Sequence, residues 1–120
     1  MKKIYLLASG FLFSAILLLG CSKSDYGYDR DYWLSKERGE VVFSDNFCPY
    51  YVVETANGFT VIRNQSAFTP RVGSRLYGDL SRRGYRDFYN SFDGSISRGE
   101  VIEYWLTYGE AQYLINRLCY

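Results

Sequence analysis

"YYVVETANGFTVIRN", residues 50 to 64, decides the fold. Two runs of β-branched and aromatic residues flank Ala56, Asn57 and Gly58. Branched side chains suit a pleated, half-buried surface, so both runs read as strands. Asn57-Gly58 marks a hairpin turn, because both residue types tolerate positive φ. The same punctuation continues downstream. Pro70 and Gly73 precede a short strand at 75–80, and Gly84 introduces another, "YRDFYN" at 85–90. "SFDGS" is a third turn, and "ISRGEVIEYW" at 96–105 is a last strand that Gly99 bends or bulges. Short strands at regular spacing specify a small antiparallel meander or open barrel of about five strands.

The chain after the last strand has helical signals. Thr107 and Glu110 have capping-box spacing, and Leu106 with Ala111 can staple the start of the helix. Ala111, Leu114, Ile115 and Leu118 then share one helical face, expected to close one end of the core. The fold class is therefore α+β, mainly β, with one C-terminal helix. The domain expected on this pattern covers 43–120, and the polar stretch 21–42 reads as a tether. "DYWLSKE" at 31–37 echoes "EYWLTYGE" at 103–110, which reads as one local habit used twice: a strand-end aromatic pair, then a leucine and a hydroxyl residue that can cap a helix.

The other end of the chain reads as an address. Lys2 and Lys3 precede Ile4 to Gly20, seventeen residues without a charge. At 1.5 Å per residue such a run reaches about 25 Å as a helix, short of roughly 30 Å of hydrocarbon. A charged start, a short apolar run and a small residue are the layout of a secretory signal. "LLGC" at 18–21 resembles the lipobox of bacterial lipoproteins. The resemblance covers residues 1–21 only. It implies a signal peptide at 1–20, cut after Gly20, and a diacylglyceryl group on the Cys21 thiol. The new amine would be acylated in turn, with palmitate-like chains as anchor. Each buried methylene contributes about 0.8 kcal/mol, so two or three chains hold firmly. Ser22 after the cysteine favours the outer membrane. The resemblance thus implies a lipid-anchored lipoprotein of a bacterial cell envelope. Residues 22–120 resemble no characterised family.

Composition narrows the function classes. Loss of Lys2 and Lys3 with the signal leaves twelve basic and thirteen acidic residues, a formal balance of −1. Neither this balance nor the compartment suits nucleic acid. The chain has no His, which removes the usual neutral-pH proton shuttle and the commonest metal ligand. No cofactor or metal is implied. Cys48 and Cys119 remain after lipidation of Cys21, an even pair that suggests a disulfide in an oxidising compartment.

Charge is segregated. Six arginines (63, 71, 75, 82, 83 and 86) face one acid, Asp79, between residues 63 and 86. Arg82, Arg83 and Arg86, with Tyr77 and Tyr85, form a candidate contact site for a ligand or partner, since guanidinium and phenol groups recognise carboxylates, phosphates and sugar faces. The plainer reading is a solvated hairpin whose arginines pair with Asp79, Asp87 and Glu103. Glu54, Asp79, Asp87, Glu100 and Glu103 supply carboxylates, but acid/base hydrolysis needs two facing each other across a cleft. There is no nucleophile elbow, phosphate loop or metal-binding helix. The expected function is a non-catalytic binding or structural module that meets another envelope protein or a glycan. A small envelope hydrolase with a carboxylate pair is the alternative.

Overall fold

The computed structural model describes residues 27–120. The signal, Cys21 and the start of the tether lie outside the described residues. The chain divides into two compact units, residues 1–32 and 33–120. A short helix, α1 (Gly27–Leu34), spans the boundary in sequence.

The second unit holds six strands and a second helix. The strands are β1 (Glu37–Phe43), β2 (Tyr50–Thr55), β3 (Gly58–Asn64), β4 (Arg75–Gly78), β5 (Gly84–Asn90) and β6 (Ser95–Leu106); helix α2 is Tyr108–Cys119. All neighbours are antiparallel, and the sheet closes on itself in the order β1-β2-β3-β6-β5-β4. Closure removes the exposed edges that an open sheet offers to other chains.

The mainly-β α+β architecture agrees with the sequence, but the barrel closes through a strand that the sequence reading placed in the tether. β1 begins at Glu37, inside 21–42, and joins β2 to β4. Its inward positions are Gly39 and Val41, so only one large apolar residue announces it. Gly39 is there because a Cβ would run into Val53 Cγ1 and stand 3.0 Å from Leu80 Cδ1. The glycine that lets β1 approach the core also silences its strand pattern.

Alternation builds the interior. Val41, Tyr51, Val53, Ile62, Leu76, Leu80, Phe88 and Val101 are fully buried there. Each such side chain contributes roughly 1.5–3 kcal/mol relative to exposure. Gly99 stays in register with Asn64 and Arg86, so it is not itself a bulge. A Cβ at Gly99 would lie 2.5 Å from Ile62 Cγ2 and 3.5 Å from Phe88 Cε2, which explains the glycine. The irregularities of β6 fall later, where its register against β3 shifts twice between Val101 and Leu106.

β2 and β3 are apolar on both faces. Tyr51, Val53 and Ile62 point inward, while Val52 and Val61, paired in register, point outward. A strand buried on both sides reads as an unbroken apolar run. The outer face is covered by α2, through Ala111 and Ile115, with Leu106, Leu114 and Leu118 at the margin. The helix therefore lies along the barrel's side rather than closing its end. The outward valines and Ile102 of β6 need that cover.

The capping box forms as the spacing predicts. The Glu110 N–H donates to Thr107 Oγ1 at 3.2 Å, and the Thr107 N–H donates to Glu110 Oε1 at 3.0 Å. At the hairpin, the Asn57 N–H donates to Thr55 Oγ1 at 3.1 Å, and only Gly58 takes positive φ, at 130°. The repeated tetrapeptide splits: "DYWL" ends α1 and "EYWL" ends β6. Four residues do not fix a conformation when their neighbours differ.

Candidate functional site

The helix does not cover the outer sheet completely. Between α2 and the outward side chains of β1, β2 and β3 lies an open groove of about 420 Å³. Its floor is Val52, Ala111 and Ile115, all nearly buried. Phe43, Phe59 and Tyr108 add aromatic walls. The Phe59 and Tyr108 rings meet edge to face, 5.8 Å apart. Gln112 and Asn116 project from one turn-spaced row of α2. Glu54 is the one ionisable carboxylate side chain along the lining, placed there by the outward parity of β2.

Glu54 stands directly opposite Glu40 of β1, both on the outer face and both exposed. Like charges at paired positions destabilise a sheet. Among the described residues neither side chain has an ion pair or hydrogen bond. Arg75 of β4 follows in register beyond Glu40. A second, polar hollow of about 490 Å³ runs over this row, lined by Arg38, Glu40, Glu54, Asn57 and Arg75 among others. The groove and the hollow share Glu54.

The upper end of α2 is fastened beside the groove. Cys48 and Cys119 form a disulfide across 71 residues of sequence, with Cα atoms 5.4 Å apart. The pairing expected from the sequence is thus present. The Tyr120 hydroxyl also donates to Asp45 Oδ2 at 3.3 Å, from the same end of the helix to the same loop.

The arginine site is brought together only in part, and mostly with its own acids. Arg83 donates to both Glu103 oxygens, at 2.8 and 2.6 Å. Arg82 and Arg86 approach Asp79 at 3.7 and 3.9 Å. Arg86 Nε is buried and its nearest carboxylate is beyond hydrogen-bond reach, while its terminal nitrogen donates to the Arg83 carbonyl at 3.0 Å. Tyr85 lies on the outer face of β5, where its hydroxyl accepts from Arg63 at 3.3 Å; Arg63 in turn pairs with Glu100 at 2.8 Å. Tyr77 stands with other rings, 6.4 Å from Tyr89, which stacks on Trp33 at 6.5 Å. Arg82 is the loosest of the group, with its side chain 73% exposed.

The carboxylates considered for hydrolysis are dispersed. Asp79, Glu100 and Glu103 each have an arginine partner, and Asp87 pairs with Arg98 at 2.9 Å. Glu54 faces Glu40 on an open surface instead. Among the described residues no three His, Cys, Asp or Glu side chains gather as metal ligands.

Two further features were hidden in the sequence. Trp105 adopts φ 56°, a left-handed conformation that is costly for a bulky residue, at the second β6 irregularity. Its exposed indole is held by a hydrogen bond from Nε1 to Ser81 Oγ at 2.8 Å, and Ser81 donates to Glu37 at 2.8 Å. In the interior, burial pushes the Tyr51 phenol well above its ordinary pKa, with the neighbouring Ser97 hydroxyl partly offsetting it. The phenol stays protonated, enclosed and away from both hollows.

No family model, no curated protein and no solved structure matches the chain.

Proposed function

We propose that the protein is a lipid-anchored, non-catalytic binding module of a bacterial cell envelope. Its recognition site in this reading is the groove between α2 and the outer face of β1–β3. The anchor rests on the lipobox-like "LLGC" at 18–21, with Cys21 as the acylated residue and Ser22 favouring the outer membrane. The observation that carries the binding role is the groove itself: about 420 Å³, apolar in floor and walls, with a lone carboxylate, Glu54, at its edge. Apolar hollows of this size with a few polar groups are the usual form of a recognition site.

The occupant that fits is a short segment of another envelope protein. It presents apolar side chains to Val52, Ala111, Ile115 and Phe59, and a lysine or arginine to Glu54. Charge complementarity supports this choice over a glycan, which would leave the aromatic and aliphatic floor unused. Glu54 and Glu40 repel each other in the free protein, so a cation between them relieves an existing cost. Asp79, Asp87, Glu100 and Glu103 are each held by an arginine, and the remaining pair, Glu54 with Glu40, sits on adjacent strands of an open outer face; both points support a non-catalytic role, because acid/base hydrolysis needs a free carboxyl facing a second across a cleft.

A photo-crosslinking residue at Gln112, inside the groove, should give defined products in the native membranes. The same residue at Tyr113, the neighbouring exposed position, should not. Glu54→Lys should abolish the Gln112 products without lowering the melting temperature. Identical products at both positions, or products indifferent to Glu54→Lys, would overturn the groove assignment. The anchor is checked separately: Cys21→Ala should lose incorporation of labelled fatty acid.

A further inference from the structure

In an antiparallel barrel, strands β1, β3 and β5 run the same way, so the three loops that follow them leave from one rim. Those loops are 44–49, 65–74 and 91–94. Each carries one phenylalanine that is almost wholly exposed: Phe47 at 97%, Phe68 at 86% and Phe92 at 84%. Val72 and Ile96 stand exposed at the same end. The opposite rim mixes Asp79, Arg82, Arg83 and Glu103 with the exposed Trp105 and Tyr108. We infer that the rim bearing Phe47, Phe68 and Phe92 seats on the surface of a phospholipid bilayer.

Three observations select lipid as the occupant. The first is shape. The rings stand on separate loops as protrusions, and neither hollow described above is lined by any of them. A protein partner would need three matching pockets; a fluid interface closes around each ring unaided.

The second is the main chain. Peptide groups entering a poorly hydrated interface must already be hydrogen-bonded. The Phe47 N–H donates to Asp45 Oδ1 at 3.0 Å, and the Phe92 N–H donates to Asn90 Oδ1 at 2.9 Å. In the third loop the Asn64 side chain serves both the N–H and the carbonyl of Ser66, each at 3.0 Å, and Pro70 has no N–H to satisfy.

The third is charge. The carboxylates of these loops are Asp45 and Asp93. Asp45 accepts from Phe47 and Tyr120, and Asp93 accepts from the backbone and hydroxyl of Ser95. Those Ser95 bonds hold the Asp93 carboxyl below its ordinary pKa. Both acids are thus turned to their own loops. Arg71, beside Val72, has no ion-pair partner among the described residues and is free to meet a headgroup phosphate.

The inference does not depend on the groove, which lies on the barrel's side. It is compatible with an anchor at Cys21. The sixteen residue steps from Cys21 to Glu37 can span at most about 55 Å when drawn out. That exceeds the roughly 23 Å length of β1, so a tethered barrel can bring its far rim to the same bilayer.

The test uses the full chain reconstituted in phosphatidylcholine vesicles. Single variants Phe47→Trp, Phe68→Trp and Phe92→Trp place a reporter at each tip, and Tyr113→Trp is the control on the exposed side of α2. Emission of the unsubstituted protein, from Trp33 and Trp105, is subtracted. All four substitutions are at exposed positions, and equal melting temperatures verify the fold. Each rim tryptophan should shift to shorter wavelength and lose most of its emission when the acyl chains are brominated. Tyr113→Trp should do neither. Rim reporters quenched no more than the control would overturn the inference. So would a blue shift that appears without lipid and grows with protein concentration, which assigns the rim to contact between copies.

Discussion

Replacing both cysteines of the 48–119 pair should lower stability by several kcal/mol while leaving the barrel intact. The bond closes a loop of 71 residues. In the chain-entropy account, that closure removes about 15 cal/mol/K from the unfolded ensemble, or about 4.4 kcal/mol at 25 °C. For a domain of this size each kcal/mol shifts the midpoint by roughly 4–8 °C, so the expected fall is roughly 18–35 °C. The folded state loses little, because the bond joins the 44–49 loop to the end of α2 without contributing to the barrel interior. The assay is thermal unfolding by circular dichroism of the protein and of Cys48→Ser with Cys119→Ser. Native-state amide exchange on both adds the location of any loss. Protection in β2, β3 and β6 should fall uniformly, by the global amount. A midpoint change under about 5 °C would refute the entropic argument. Selective loss of protection in α2 alone would show that the bond acts by holding the helix down.

Four further outcomes follow from particular contacts. Gly99→Ala should destabilise by about 1–3 kcal/mol through overpacking, since its Cβ would meet Ile62 and Phe88; a denaturant midpoint measures it. Thr107→Ala should cost about 1 kcal/mol by removing the N-cap of α2, read from the same denaturation. Glu110 has its carboxyl held below the ordinary glutamate pKa, first by the Thr107 backbone N–H and then by the Thr107 side chain. Its stabilisation is therefore present above the unfolded-state pKa and is lost as pH falls through the folded value. Glu110→Gln should flatten that acid limb of a pH–stability curve, and a curve identical to that of the parent protein would refute the capping role. Arg82→Ala with Arg83→Ala should leave the melting temperature nearly unchanged, and a large fall would mean the Arg83–Glu103 pair is structural.

Most strands were legible because local chemistry and tertiary role agree in them. In "YYVVETANGFTVIRN" the branched residues, the Thr55 hydroxyl and Gly58 all favour the same hairpin. α2 was legible for the same reason, since its cap, staple and apolar face coincide. β1 was hidden because its inward face holds Gly39, whose role is defined by Val53 and Leu80 from other parts of the chain. The position of α2 could have been inferred. A strand pair apolar on both faces, followed by an amphipathic helix, has no other partner for its outer face.

The site was harder to read, and the arginines show why. A run of +5 along the sequence suggests a patch, but sequence is one-dimensional and the barrel is not. Pairing β6 with β3 and β5 places Glu100 beside Arg63, and Glu103 within reach of Arg83 on the preceding turn. Those acids come from the flank that seemed merely to frame the positive segment. The same folding step leaves Glu54 facing Glu40 with no cation between them. A charge that the fold neutralises internally is available to structure, and a charge that the fold sets against its like is available to a partner. By that criterion the proposed recognition site draws on the acidic pair at the edge of the helix groove. Glu54→Gln should accordingly raise thermal stability slightly, by relieving the cross-strand repulsion by roughly 0.2–1 kcal/mol, while weakening the crosslink at Gln112. A destabilised Glu54→Gln would mean that the carboxylate already serves the fold, and the groove would lose its claim as the recognition site.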